Sequence, residues 1–112
     1  MPIKFGHIEV FCKDVERAKD WYVEILGAKP TSDQGEFQWV DISGTELLLR
    51  PGKGAPKSSY KDTAIALVLY VEDADAFKTE LQNKGVEVTH GDNDECLTFQ
   101  DPDGHWIQAV QN

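Results

Sequence analysis

The sequence is poor in basic residues, in cysteine and in long apolar runs, and each shortage closes off a class of function. Eleven Lys and Arg stand against 20 Asp and Glu, a formal charge of −9 over 112 residues. A protein that grips nucleic acid needs a basic face to displace counterions from phosphates, so no nucleic-acid partner is expected. The longest apolar stretch, residues 64–71, falls far short of the roughly 18 consecutive apolar residues of a membrane helix, so no membrane partner is expected either. The two cysteines, Cys12 and Cys96, have no CxxC spacing. They support neither a disulfide framework nor a zinc site and read as buried free thiols. The first residues reach Glu9 and Asp14 without an apolar signal-peptide core, which makes an unprocessed cytoplasmic chain the expectation.

What is present is a repeat. His7 opens a short alternating strand that ends at Asp14, followed by an amphipathic helix over 15–26 and then Gly27. A second strand of the same length, residues 66–73, ends at Asp73 and leads into a helix over 74–84 and then Gly85. Asp14 and Asp73 suit helix N-caps, because a short carboxylate accepts from unpaired first-turn amides. Gly27 and Gly85 suit the left-handed conformation that closes a helix. Beyond each helix a short strand (29–31, then 86–89) precedes two longer ones (36–42 and 45–50, then 95–100 and 105–110), joined at turns holding Gly44 and Gly104. Each half is therefore βαβββ, and the fold class is α+β: two such modules forming a curved mixed sheet with helices on the convex side. The whole chain, 1–112, reads as one domain, with module 1 at about 3–50, a mobile linker rich in Pro, Gly, Ser and Lys at 51–61, and module 2 at about 62–112. Two half-size modules with exposed sheet edges also predict a homodimer, and the linker permits swapping of modules between chains.

Period-two geometry sorts the strands into faces. Ile8, Val10, Leu47, Leu49, Leu67, Leu69 and Ile107 form an aliphatic set that faces the helices. His7, Glu9, Phe11, Glu46, Leu48, Arg50, Ala66, Tyr70, Trp106 and Gln108 fall on the other face, expected to be concave, and mix aromatic, polar and charged groups. Concave surfaces of that kind bind small molecules, and these ten residues are the candidate ligand contacts. Glu9 and Glu46 predict an acidic wall suited to a cation, and Phe11, Tyr70 and Trp106 offer rings to a planar compound. His90 reads as a surface loop residue. Asp101 and Asp103 read as turn residues, since the remaining oxygens of a calcium loop are missing. No Ser-His-Asp or Cys-His arrangement is marked, and His7 is the one candidate general base, with Glu9 or Gln108 to set its tautomer.

The His-led strand ending at Asp14, the run from Ala18 through Trp21-Tyr22 to Gly27, and Phe99-Gln-Asp-Pro-Asp-Gly104 before a final strand together resemble the vicinal oxygen chelate superfamily. That superfamily holds glyoxalases, extradiol dioxygenases, fosfomycin-modifying enzymes and bleomycin-binding resistance proteins. The resemblance runs from about residue 3 to 111. In metal-dependent members it implies ligands at the start of each first strand and the middle of each last strand, which here are His7, Leu48, Ala66 and Gln108. A transition metal requires several His, carboxylate or thiolate donors, and only His7 is one. The expectation is therefore a small-molecule binding protein with no metal or other cofactor. It would resemble the bleomycin-resistance branch and sequester an aromatic or cationic compound in a dimer groove. The alternative is a metal-dependent glyoxalase-like lyase or dioxygenase using His7, Glu46 and Gln108.

Overall fold

A computed structural model describes all residues, 1–112. The chain divides into two compact units, Met1–Gly54 and Ala55–Asn112. Unit 1 comprises β1 (Ile8–Cys12), α1 (Val15–Leu26), β2 (Lys29–Gln34), β3 (Phe37–Ile42) and β4 (Thr45–Pro51). Unit 2 begins with a single 3-10 turn, Tyr60–Asp62, and continues through β5 (Ala66–Val71), α2 (Ala74–Asn83), β6 (Thr89–His90), β7 (Cys96–Gln100) and β8 (Trp106–Gln111). Each unit forms its own four-stranded mixed sheet, in the order β1-β4-β3-β2 and β5-β8-β7-β6, so the α+β repeat of two βαβββ modules is the observed architecture. In both, the first strand pairs parallel with the last, and the other pairs are antiparallel.

The helix ends follow from the residues placed there. Asp14 Oδ1 accepts from Arg17 N at 3.1 Å, and Asp73 Oδ1 accepts from Ala76 N at 3.0 Å. Gly27 takes a left-handed φ of 68° and closes α1. The helices cover the aliphatic faces, α1 lying on β3 and β4 and α2 on β7 and β8. Under α1 the core holds Val10, Cys12, Ala18, Tyr22, Val40, Leu47 and Leu49; under α2 it holds Leu81, Leu97, Phe99, Ile107 and Ala109. Leu67 and Leu69 are only half-buried because β5 is an edge strand. Neither cysteine is in a disulfide: Cys12 is fully buried and its Sγ donates to Val10 O at 3.3 Å, whereas Cys96 is only half-buried. No helix is long and apolar enough to cross a membrane.

Two expected segments differ. β2 runs to Gln34 rather than to residue 31, passing a register shift between Pro30 and Ser32. It is an exposed edge strand, so no apolar alternation marks it. The strand expected at 86–89 is instead Thr89–His90, because Val86 N donates back to Leu81 O at 2.9 Å and is spent closing α2. In the stretch expected as a mobile connection, residues 53–59 have no regular secondary structure, and a few backbone bonds tie its ends to the two units. Gly52 N donates to Cys12 O at 2.9 Å, Ala55 N to Asp103 O at 3.0 Å, and Tyr60 belongs to the 3-10 turn.

Candidate functional site

In unit 1 the ladder sets Glu9 beside Leu48 and Phe11 beside Arg50, and Trp39 flanks Leu48 from the other side. Residues paired across a ladder share a face. The face away from α1 thus gathers His7, Glu9, Phe11, Glu46, Leu48 and Arg50, all expected there, and adds Phe37 and Trp39. Those two were missed because only the first and last strands were sorted by period, yet they alternate with Gln38 and Val40 along β3 in the same way.

Glu9 is the hub of this face. Its Oε2 accepts from His7 Nε2 at 3.0 Å and its Oε1 from Arg50 Nη1 at 2.9 Å. These bonds, the one from His7 first, hold its carboxyl below the ordinary carboxylate value. The His7 ring meets Trp39 edge-on with centroids 4.6 Å apart. The Arg50 guanidinium lies between Phe11 and Phe37, 5.1 and 4.9 Å from their centroids. Glu46 Oε2 accepts from Thr31 Oγ1 at 2.9 Å. The acidic wall expected from Glu9 and Glu46 therefore needs correction. Both carboxylates already accept from protein donors, and the Glu9 charge is met by Arg50.

In unit 2 the ladders form three rows across the face away from α2: Ala66, Trp106 and Gln100; Val68, Gln108, Thr98 and Thr89; Tyr70, Val110 and Cys96. Ala66, Tyr70, Trp106 and Gln108 stand where they were expected. Trp106 Nε1 donates to Ser58 O at 3.1 Å, and its ring meets Tyr60 edge-on with centroids 5.8 Å apart. Tyr60 escaped notice because its neighbours have the composition of a linker. Thr89 Oγ1 and Thr98 Oγ1 are hydrogen-bonded at 2.6 Å. Gln108 is 8% exposed and its Nε2 is buried with no partner.

The remaining polar candidates sit elsewhere. Asp101 Oδ1 accepts from Asp103 N and His105 N, each at 2.9 Å, and His105 Nδ1 donates to Asp101 Oδ2 at 2.7 Å. This is the expected turn, and the Asp101 carboxylate raises the His105 pKa above its ordinary value. His90 is exposed as expected but ends β6 and accepts from Lys78 Nζ at 3.2 Å. A depression of about 450 Å³ in unit 1 is lined by Lys13–Glu16, Gly35, Glu36 and Pro51, none of them a candidate residue.

The side chains present do not fit a transition-metal ion. Of His7, Leu48, Ala66 and Gln108, two end in carbon and one is a neutral amide, which leaves a single strong donor. No three His, Cys, Asp or Glu side chains are grouped so as to hold a metal. Bringing in Glu46, which accepts from Thr31 Oγ1 at 2.9 Å, would still leave only two strong donors with His7.

The family model for the Glyoxalase/Bleomycin resistance protein/Dioxygenase superfamily matches residues 4–109. Among solved structures, TnmS3, an antibiotic binding protein from Streptomyces sp. CB03234, is 28% identical with a TM-score of 0.72, over 98% of each chain. The fosfomycin resistance protein FosX from Listeria monocytogenes, complexed with manganese(II) and sulfate, is 17% identical with a TM-score of 0.83, over 100% of this chain and 92% of that one. Lactoylglutathione lyase from Agrobacterium tumefaciens is 15% identical with a TM-score of 0.74, over 99% and 95%. The last two establish likeness of fold only, since one scaffold hosts unrelated chemistries.

Proposed function

The chain belongs to the glyoxalase/bleomycin resistance protein/dioxygenase superfamily, and from that membership we propose that it is a small-molecule binding protein that sequesters an aromatic compound without using a metal. The observation that carries this reading is the donor set. Leu48 and Ala66 occupy two of the four positions where the resemblance places metal ligands, and neither has a lone pair to give. The aromatic side chains of the open faces, Trp39, Phe11 and Phe37 in unit 1 and Trp106, Tyr60 and Tyr70 in unit 2, favour a flat ligand. A cationic ligand has less support, because Arg50 and His7 already engage Glu9. Similarity to an antibiotic binding protein is in keeping with capture rather than turnover.

We further infer that the two units act as one binding domain and that the chain is a homodimer. The exposed apolar side chains Phe11, Val68 and Tyr70 lie on β1 and β5, each an edge strand of its own sheet, and such edges call for cover. Sedimentation is expected to give twice the 12.6 kDa chain mass; a single species at chain mass overturns the dimer.

Titration with a panel of planar aromatic compounds, followed by the fluorescence of Trp39 and Trp106, is expected to find saturable binding. Uniform absence of binding overturns the proposal. Adding Ni²⁺, Zn²⁺, Fe²⁺ or Mn²⁺ to chelator-treated protein is expected to leave its melting temperature unchanged, because any ligand of the native state stabilises by mass action. A rise of several degrees with one ion favours the metal-dependent lyase or dioxygenase instead.

A further inference from the structure

We infer that Gln108 is a ligand-contacting residue, the hydrogen-bond donor of a subsite on the open face of unit 2 that takes the carbonyl, or another neutral acceptor, of a flat aromatic compound. This rests on the binding-protein reading and specifies the chemistry of its ligand. The starting point is the buried Gln108 Nε2, which has no partner. Buried amides in folded proteins are almost always bonded, so an orphan calls for a reason.

The repeat itself supplies the control. Gln108 stands four residues after Gly104, as Leu48 stands four after Gly44. Both side chains are buried, at 8% and 5% exposure. Each sits on the last strand between the first strand of its unit and the adjacent antiparallel strand. An aliphatic side chain fills that place in unit 1, so the fold does not need an amide there.

The surroundings say what the amide is for. Three other polar side chains of this face are already spent: Thr98 with Thr89, the Trp106 indole on Ser58 O, and Gln100 on Gly104 O. The three rows of this face contain no Asp, Glu, Lys or Arg, so nothing on them recognises a charged ligand, in contrast to the Glu9–Arg50 pair of unit 1. The Tyr60 and Trp106 rings and the half-exposed Val68 offer apolar surface to a flat body. Gly91 packs beside the amide. A Cβ at Gly91 would stand 3.0 Å from Gln108 Nε2 and 3.2 Å from Thr98 Cγ2, and Gly91 follows directly on the two-residue edge strand β6. A ligand acceptor reaches Gln108 beside that glycine, whose own N–H is held by Cys96 O at 2.8 Å.

The test uses the full chain labelled with ¹⁵N and three probes of one shape, namely benzamide, benzylamine and benzoate. Benzamide is expected to shift the Gln108 side-chain NH₂ resonance saturably, and to bind at least tenfold more weakly to Gln108→Leu, the substitution that copies Leu48. An unmoved resonance in the wild-type chain overturns the inference, as does equal benzamide affinity in wild type and Gln108→Leu. Should the leucine variant not fold, Gln108→Met takes its place, and the wild-type resonance decides independently. If benzylamine or benzoate binds both chains alike while benzamide does not bind, this inference falls and the binding-protein reading stands. If neither these three nor the planar aromatic panel binds, both fall.

Discussion

At the scale of single residues, three buried polar atoms lack a partner, Gln38 Oε1, Arg50 Nε and Gln108 Nε2. Leaving a buried donor unmade costs about 1–3 kcal/mol, so Gln108→Leu is expected to raise the unfolding free energy by about 1 kcal/mol or more, read from urea denaturation at constant m-value. His105 gives the pH dependence. Its folded pKa is raised by the Asp101 carboxylate, so the protonated form is favoured by folding. That stabilisation is complete below the ordinary histidine value of about 6.5 and is lost as pH rises through the higher folded value. The melting temperature is therefore expected to fall through this pair as pH rises from about 6.5 through the higher folded value, and the fall should flatten in His105→Gln. Glu9 works in the opposite direction. Its lowered pKa contributes above the unfolded value, and the contribution disappears as pH falls through the folded one. Net charge was a poor guide at this scale. The sum of −9 implied free carboxylates on the open face, yet Glu9 is held by His7, just before β1 and two residues away on the same face, and by Arg50 on β4.

At the scale of elements, the caps are the clearest case of structure written in local sequence. Asp14→Ala and Asp73→Ala are each expected to cost about 0.5–2 kcal/mol, measurable by thermal or urea unfolding, and an effect below a few tenths would mean that other groups satisfy those first-turn amides. Both helices, the antiparallel strand pairs around Gly44 and Gly104, and the division of side chains between the two faces follow from spacing alone. β2 did not, because Lys29–Gln34 is exposed along its whole length and an edge strand with two wet faces has no alternation to read. β6 was misplaced for a different reason. The residues that alternate, beginning at Val86, are drawn back to finish α2 by a backbone bond to Leu81, and only tertiary packing decides that contest.

At the scale of the whole molecule, internal repetition made the architecture and most of the candidate surface readable. The halves could be aligned by their Asp and Gly markers, and the donor positions then counted off. The contribution of residues 55–62 to unit 2 stayed hidden, since Pro, Gly and Ser describe a connector whether or not Tyr60 finds Trp106. The core of each unit should be independently sensitive. Phe99, 1% exposed under α2, is expected to cost about 3–5 kcal/mol when replaced by alanine. Hydrogen exchange should locate the lost protection in β7 and β8, and loss of similar size in β3 and β4 would argue against separate cores.

The parallel ladders also dictate an order of events during synthesis. Ile8 must wait for Leu47, and Ala66 for Trp106, so each sheet closes only after about forty further residues have been added to the chain, a contact separation that slows folding. β4 is complete in the chain before β5 is begun. The amino-terminal sheet can therefore close before the carboxy-terminal one, which favours pairing within each half over exchange of strands between two halves of the same topology.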